Sequence, residues 1–482
     1  MARLPFLLLL AAAPAMAAAA DEGGTALLRP SQDRAAPARG SVLGDVGAAL
    51  RHMGANALPM ATLRGSSFHV VVPDGGSLPP EQTGAVDGTV ALALRGSLET
   101  RRAAAAAHAA KAGRHAAALA FLPRVDAVAT LGDRPNTTRP LAGIARERSS
   151  SLGLEATVPI FTSGVLLNTL HQARALHRAA ELNFLQVERK AALDAALAHV
   201  DLRLQRRIVE AVDQHARALR RVATVAKALF RAGEVSRTDV AIARANAEAV
   251  AADRADARRR LRDAEAEFAS LTGTAAPDAL HLPAGEETLS LSSAVERAVA
   301  ASHALGAQRL GADALRHAAL AERGRWGPQV SGYLNAERDL HHSTRTPDPM
   351  AYEVGVRLRV PLLAAGAAAS VDKARAEAIE ARYSALDAER RLRRQIAALW
   401  HAERAADERR GAFRRQMAHI DTTVRGTLKE YRAGFRSITD VLEAQVKHLE
   451  ATVALETAVH RKASATLRLR AATGRLDGGT RR

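Results

Sequence analysis

The sequence of 482 residues contains no cysteine. The chain therefore forms no disulfide, carries no lipid on a cysteine and offers no thiolate to a metal ion. Aromatic residues are also scarce, at 3%, which leaves little material for a thick globular core. Abundant alanine instead favours long, thin helices packed closely side by side, although a biased genomic base composition would give the same excess of alanine and arginine.

Long uncharged apolar runs are missing after the first 20 residues. Residues 1–20 are typical of a signal peptide, with Arg3 before the apolar run at 4–13 and small residues at 15–20. Beyond them no stretch approaches the roughly 18 uncharged apolar residues of a membrane-spanning helix. We therefore expect an exported chain that no transmembrane helix anchors. An extension or linker of unknown role follows at 21–85.

Acidic residues are fewer than basic ones. The sequence has 51 Asp and Glu and 68 Lys and Arg, which gives a formal net charge of +17. Such a balance often indicates nucleic-acid binding, but an exported chain seldom meets nucleic acid. The arginines also stand beside acidic residues along predicted helices, as on solvated helix faces. The HExxH spacing, the Gly-rich phosphate loop and the nucleophile elbow are all missing. We expect no enzyme, no cofactor, no metal site and no nucleic-acid partner.

Proline is missing from two stretches of similar length, Val165–Arg231 and Ala367–Arg432. Each predicts a helix of about 65 residues, which at about 1.5 Å per residue is about 100 Å long. In each half two shorter helices, of about 30 and 35 residues, can lie end to end against the long one. Ser293 and Glu296 are typical of a capping box that starts the shorter helix at 294–325.

One stretch of the sequence occurs twice. Residues 231–240 are RAGEVSRTDV and residues 432–441 are RAGFRSITDV, with seven of ten positions identical at an offset of 201. In each copy a glycine can end one helix in the left-handed conformation, a serine can cap the next, and an aspartate completes a capping box. These residues are Gly233, Ser236 and Asp239 in the first copy, and Gly434, Ser437 and Asp440 in the second.

The repeat divides the chain into two halves of the same element order. Each half has a helix, two β-like runs and a helical hairpin. The runs are about 123–131 and 152–161, then 328–337 and 352–361, and the hairpins are 165–271 and 367–472. The predicted units are a signal peptide (1–20), an extension (21–85), a first repeat (86–273), a linker (274–292), a second repeat (293–474) and a tail (475–482).

The four β-like runs have the length of tilted strands that cross a bilayer in a β-barrel. Four strands cannot close a barrel, and lipid does not tolerate open sheet edges. Barrel closure therefore has to be shared between chains. Phe121, Phe161 and Trp326 fall at the helix-side ends of the runs, where an interfacial aromatic belt would lie. They fit equally well as ordinary core residues at strand–helix junctions.

Together these features resemble the outer membrane factor family, the TolC-like channel-tunnels. The resemblance covers about residues 86–474. It rests on the duplication, the element order, the RAG-x-x-S-x-TDV turns, and the segments VPIFTSG at 158–164 and VPLLAAG at 360–366. The lack of cysteine places the chain nearer the TolC-like members than the lipidated OprM-like ones. Residues 21–85 have no counterpart.

The resemblance implies a mainly helical homotrimer of known plan. Four strands from each protomer would form a shared 12-stranded barrel in the outer membrane, continued by a helical, coiled-coil tunnel across the periplasm. Such a protein is the passive exit duct of a tripartite efflux pump or a type I secretion system. The implied partners are outer membrane lipid, a periplasmic adaptor (membrane fusion) protein and, through it, an inner-membrane transporter.

The resemblance also implies a gate at the periplasmic tip. Tyr431 and Arg436 match positions that hydrogen-bond across to the first hairpin, where the partners match Thr238 and Asp239. The hairpin tips would contact the adaptor. Their candidate contact residues are Gly233, Ser236, Gly434 and Ser437.

Asp440 and Glu443 match acidic positions that line the constriction of the tunnel. Threefold symmetry would place six carboxylates around one bore and attract cations. A local interpretation stays open, in which Asp239 and Asp440 only cap their helices and Arg436 is only a solvated residue. Capping does not account for Glu443.

A soluble periplasmic coiled-coil scaffold is the alternative function, with the β-like runs as short connectors. A scaffold has no need of four bilayer-length strands with aromatic ends. The sequence therefore favours the duct.

Overall fold

The computed structural model describes residues 84–136, 145–282, 289–339 and 350–476, and side chains only outside 132–150 and residue 339. All of these residues belong to one compact unit, Pro73–Arg482. Its elements follow the order helix, strand, strand, helical hairpin twice over. They are α1 Val86–Gly96, α2 Leu98–Leu119, β1 Arg124–Asn136, β2 Ala145–Phe161, α3 Val165–Arg231, α4 Arg237–Thr272, α5 Leu291–Ala301, α6 His303–Arg325, β3 Gln329–Asp339, β4 Met350–Arg359, α7 Ala367–Arg432 and α8 Ile438–Ala472.

Several predictions fall outside the described residues. They are the signal peptide, the extension as far as residue 83, the loop residues 137–144 and 340–349, linker residues 283–288 and tail residues 477–482. Within the described part, no helix carries an 18-residue stretch apolar enough to cross a membrane.

The two long helices span the stretches without proline. Helix α3 has 67 residues and α7 has 66, so each is about 100 Å long. Each begins after a glycine at positive φ, Gly164 at 82° and Gly366 at 87°. A residue with a Cβ is strained at such an angle, which explains why both β-strand-to-helix junctions end in glycine.

The shorter helices differ from the prediction in two ways. The first helix of each half is broken by a serine, Ser97 and Ser302, whose hydroxyl accepts a hydrogen bond from the backbone three residues on. The predicted capping box of Ser293 and Glu296 was wrong. Helix α5 is capped by Ser290, whose hydroxyl accepts from the Ser293 backbone at 3.2 Å. Leu289 packs in the same cluster as Ala294, a hydrophobic staple that favours the earlier start.

The four strands form one antiparallel sheet in the order β1-β2-β3-β4. Strands β1 and β2 have 13 and 17 residues, longer than the predicted ten. Both continue past the predicted bounds at residues 131 and 152, because their backbones stay paired as far as Asn136 and Ala145. In β4 the exposed apolar residues alternate with polar ones. Tyr352, Val354, Val356 and Leu358 share one face of the strand, opposite Glu353, Arg357 and Arg359.

The helices pack side by side with α3 in the middle. Helix α3 contacts α2, α4, α6 and α8, and α7 contacts α6 and α8. Helices α2 and α7 therefore lie at the edges of this layer. Along its 66 residues α7 buries four, Ala385, Ile396, Ala406 and Tyr431. Both edges leave most of their surface uncovered within one chain.

Aromatic residues mark the strand–helix junctions. Phe121 precedes β1, Phe161 ends β2 and Trp326 precedes β3, and all three are exposed within the chain. Exposure argues against the interpretation of these residues as ordinary core, and it fits aromatic side chains at the edge of a bilayer.

Candidate functional site at the hairpin tips

The turns at the two hairpin tips have nearly the same backbone. Gly233 and Gly434 adopt φ of 79° and 80°. The next residue in each turn, Glu234 or Phe435, donates its backbone N–H back to the preceding helix, at 3.0 and 2.9 Å. This arrangement satisfies carbonyls that a helix end leaves free. The predicted glycine-ended hairpin is confirmed at both turns.

Both predicted capping boxes are also confirmed. The Asp239 carboxylate accepts hydrogen bonds from the Ser236 backbone and hydroxyl at 2.9 and 2.8 Å. The Asp440 carboxylate accepts the same pair from Ser437 at 3.0 and 2.9 Å. The backbone N–H and hydroxyl of Ser437 favour the ionised form of the Asp440 carboxylate and so lower the pKa of Asp440.

Tyr431 lies between the two hairpins. Its side chain is 4% exposed and packs among residues of α3, α4 and α8. Its hydroxyl has no hydrogen-bond partner. Burial and, secondarily, the negative charge of Asp239 raise the pKa of Tyr431. The ring therefore meets the first hairpin through apolar side chains, without the predicted hydrogen bond.

Arg436 pairs within its own hairpin. Its Nε lies 3.0 Å from the Glu430 carboxylate, while Thr238 is exposed on the first hairpin. Within one chain, the hydrogen bonds predicted from Tyr431 and Arg436 to Thr238 and Asp239 are not formed among the described residues. The gate that these four residues would form stays a prediction.

The acidic pair follows Arg436 on α8. Glu443 is exposed, and its carboxylate lies 2.6 Å from the Lys447 ammonium one turn further on. A hydrogen bond with Glu443 raises the pKa of Lys447. Asp440 is partly exposed beside its cap. The two carboxylates thus differ, since Asp440 serves a cap and Glu443 is neutralised by a lysine.

The residue that the sequence analysis missed is Ile438. It is the first residue of α8 and is 3% exposed. It belongs to a buried cluster that we call the tip core, which comprises buried residues of α3 and α4 from Val212 to Ala257 together with Tyr431, Ile438, Val441 and Leu442. The repeat contained a signal for this burial, because the second hairpin has an apolar isoleucine where the first hairpin has the charged Arg237.

Further from the tips, ion pairs that are buried or partly buried connect the helices. The Lys462 ammonium on α8, 9% exposed, contacts the Glu403 carboxylate on α7. Arg203 on α3 lies 3.5 Å from Glu456 on α8. Within the described residues, no group of three His, Asp or Glu side chains could hold a metal ion.

The fold and the paired hairpin tips define a class of protein built from long helical hairpins and a small antiparallel sheet. The sequence matches the model of the outer membrane efflux protein family over residues 89–274 and 294–475. The chain therefore belongs to that family, and it is an outer membrane protein with a role in transport.

Individual relatives agree with this family. The outer membrane efflux protein BepC of Brucella suis biovar 1 (strain 1330) is 25% identical over 336 residues, covering 68% of this chain and 73% of BepC. Because the chain belongs to this outer membrane family, the alternative function of a soluble periplasmic scaffold is not supported.

Solved structures share the fold at lower identity. The Campylobacter jejuni CmeC outer membrane channel superimposes with a TM-score of 0.72 at 16% identity, covering 82% of this chain and 86% of CmeC. VceC from Vibrio cholerae gives 0.72 at 17% identity, covering 81% and 96%. The open state of the Neisseria gonorrhoeae MtrE channel gives 0.65 at 18% identity, covering 85% and 96%. The predicted TolC-like fold, mainly helical with four strands, is confirmed.

Proposed function

We propose that three copies of this chain form the passive exit duct of a tripartite efflux pump or a type I secretion system. The twelve strands would close one barrel in the outer membrane, and the helices would continue it as a periplasmic tunnel. An adaptor protein would join the tunnel to an inner-membrane transporter. The observation that carries the proposal is the sheet with two free edges and one apolar face.

The sheet edges need a partner in lipid. Strands β1 and β4 each pair on one side only, and exposed apolar side chains such as Val125 and Leu358 lie on them. Backbone groups left unpaired in hydrocarbon are costly, so spanning sheets close into barrels. Helix α2, which precedes β1 in the chain, and helix α7, which follows β4, are also largely uncovered and support the same conclusion.

The internal repeat predicts how neighbouring copies pair. Arg124 lies opposite Thr157 in the first β-hairpin, and Gln329 lies opposite Arg359 in the second. The two hairpins therefore share one register, with offsets of 205 for β1/β3 and 202 for β2/β4. Strands β2 and β3 also pair, with Ala156 opposite Leu334.

Because β4 corresponds to β2 and β1 corresponds to β3, the same offsets applied to the β2–β3 pairing predict which residues of β4 and of a neighbouring copy's β1 face each other. Ala156 becomes Leu358 of one copy (156 + 202), and Leu334 becomes Ala129 of the next (334 − 205). We expect these two residues to lie opposite each other across the subunit boundary, with about 5 Å between their Cβ atoms.

The tips would form the periplasmic gate of the duct. Thr238, Asp239, Tyr431 and Arg436 would close it, and Asp440 and Glu443 would line its constriction. The exposed turns support an adaptor contact at the tips. The turn residues concerned are Gly233, Ser236, Gly434 and Ser437, all of them exposed.

A cysteine cross-link tests the assembly, because the chain has no cysteine of its own. Leu358→Cys with Ala129→Cys should give a covalent three-chain species on non-reducing gels after mild oxidation. In the matched control, Leu358→Cys with Val125→Cys, the second cysteine is displaced by four residues, about 13 Å along the strand, and should stay uncross-linked. Purified protein should also conduct in planar bilayers. Monomers that neither cross-link nor conduct would contradict the proposal.

A further inference from the structure

The second hairpin docks onto the first through apolar side chains. Tyr431, Ile438, Val441 and Leu442 are its buried members of the tip core, and the remaining buried members belong to α3 and α4. All four lie within two turns of the tip. The end of the second hairpin is therefore held by burial in a core that the first hairpin supplies.

Polar groups do not tie the two hairpins at this place. Asp239 and Asp440 bond to the serine caps of their own helices. Arg436 pairs with Glu430, and Glu443 pairs with Lys447. The Tyr431 hydroxyl, which faces the other hairpin, has no partner. Among the described residues at the tips, polar contacts stabilise each hairpin separately.

The repeat shows that this docking belongs to one hairpin only. At the offset of 201, Ile438 corresponds to Arg237, which is exposed, and Leu442 corresponds to Ala241, also exposed. Tyr431 corresponds to Phe230, which is 43% exposed. The backbone of the two turns is nearly the same, so these side-chain differences separate the hairpin that docks from the one that receives it.

We propose that Ile438, together with Leu442, is an apolar latch that holds the second hairpin in the closed tip. The inference rests on the proposed duct function. Because an apolar contact needs no fixed orientation, the second hairpin can leave the tip core without breaking a hydrogen bond between hairpins. The duct then opens by withdrawal of Ile438, which acts as a positioning residue of the gate.

The test is single-channel recording of the full-length protein in planar bilayers. Ile438→Ala should raise the ratio of open to closed channels by more than about tenfold, and Ile438→Val by about two- to tenfold, following the loss of buried methyl and methylene groups. Arg237→Ala, at the matched exposed position of the first hairpin, should leave the ratio unchanged. The melting temperature of the helices should stay near that of the wild type.

A second variant separates the latch from a polar tie. Tyr431→Phe keeps the buried ring and removes only the hydroxyl that a polar tie would use, so its open fraction should rise less than that of Ile438→Ala. A rise in Tyr431→Phe without a rise in Ile438→Ala would overturn the latch.

The remaining outcomes of these recordings also support or overturn the latch and the duct. If Ile438→Ala fails to insert, the graded variant Ile438→Val carries the test, and an unchanged open fraction there overturns the latch. Conduction by the wild type with unaltered gating in Ile438→Ala overturns the latch alone. A protein that conducts in no variant overturns the duct together with the latch.

Discussion

Helix α8 makes different kinds of contact in the middle of the helical layer and at the hairpin tips. In the middle, buried Lys462 contacts Glu403 of α7, and Glu456 lies 3.5 Å from Arg203 of α3. At the tip, α8 meets the first hairpin through the apolar side chains of Ile438 and Leu442. Ion pairs that are buried or partly buried thus hold α8 at one level, and apolar contacts hold it at the other.

The difference has a mechanical consequence. A buried charge that leaves its partner without meeting water is strongly disfavoured, so the middle of α8 has one favoured register. Apolar contacts are non-directional, and their loss on a small displacement is gradual. Movement of α8 is therefore expected at the tip, with the charged middle as the fixed end.

The largest effect should follow loss of the buried ammonium. Lys462→Met leaves the Glu403 carboxylate, 16% exposed, without its partner, and should reduce the free energy of unfolding by about 3–5 kcal/mol per chain. A thermal melt followed by circular dichroism measures this. The double variant Lys462→Met, Glu403→Leu should recover most of the loss, because the Glu403 carboxylate is gone and Asp407, which also lies 3.6 Å from Lys462, keeps Arg410 at 2.8 Å.

A matched lysine provides the control for that comparison. Lys373 lies on α7 at 77% exposure and faces Glu377 at 3.8 Å, and an exposed pair of this kind contributes little. Lys373→Met should therefore melt like the wild type. Equal losses in Lys462→Met and Lys373→Met would remove the distinction between a charge-held middle and an apolar tip.

The second prediction concerns acid and the histidine of the middle region. His199 on α3 is fully buried. Its Nδ1 lies 2.8 Å from the Thr89 hydroxyl and its Nε2 3.0 Å from the His281 carbonyl. The carbonyl can only accept, so Nε2 carries the hydrogen and Nδ1 accepts from Thr89. Burial lowers the pKa of His199 from 6.5 to about 4, outweighing the hydrogen bond to the His281 carbonyl.

The sign of the acid effect follows from that lowered pKa. Between pH 6.5 and about 4 the unfolded chain binds a proton that the folded chain does not, so the free energy of unfolding falls as the pH falls. The loss amounts to about 3 kcal/mol per chain at pH 4. His199→Gln, which cannot titrate, should show a smaller drop in melting temperature between pH 7 and 4.5. The exposed His108→Gln should retain the wild-type drop, and equal drops in all three would contradict this role.

The smallest effect is expected for cation block at the tip. If Glu443 and Asp440 line the bore, Lys447→Gln frees the Glu443 carboxylate and should strengthen block by divalent cations several-fold. Asp440→Asn keeps an oxygen for the Ser437 cap while removing the charge, and should weaken the block. Added salt should reduce both effects. Single-channel current with the cation on the side of the tips measures the block, and wild-type block in both variants would leave these acids as capping and surface residues.

The local elements could be predicted because their causes lie within a few residues. The stretches without proline became α3 and α7, and the glycine, serine and aspartate of each turn formed the expected caps. The start of α5 was missed by three residues. There Ser290 and Ser293 offered the same hydroxyl, and the packing of Leu289 against a distant cluster decided between them.

The sequence by itself determined the two long helices, the two turns, the number of strands and the repeat, since backbone conformation at these places follows from local chemistry. Only the tertiary structure decided which side chains meet. Arg436 has Glu430 as its partner instead of the first hairpin, Lys462 is buried against Glu403, and Ile438 enters the tip core while Arg237 stays exposed. Burial depends on which surfaces the folded hairpins bring together, and residues far apart in the chain set that outcome.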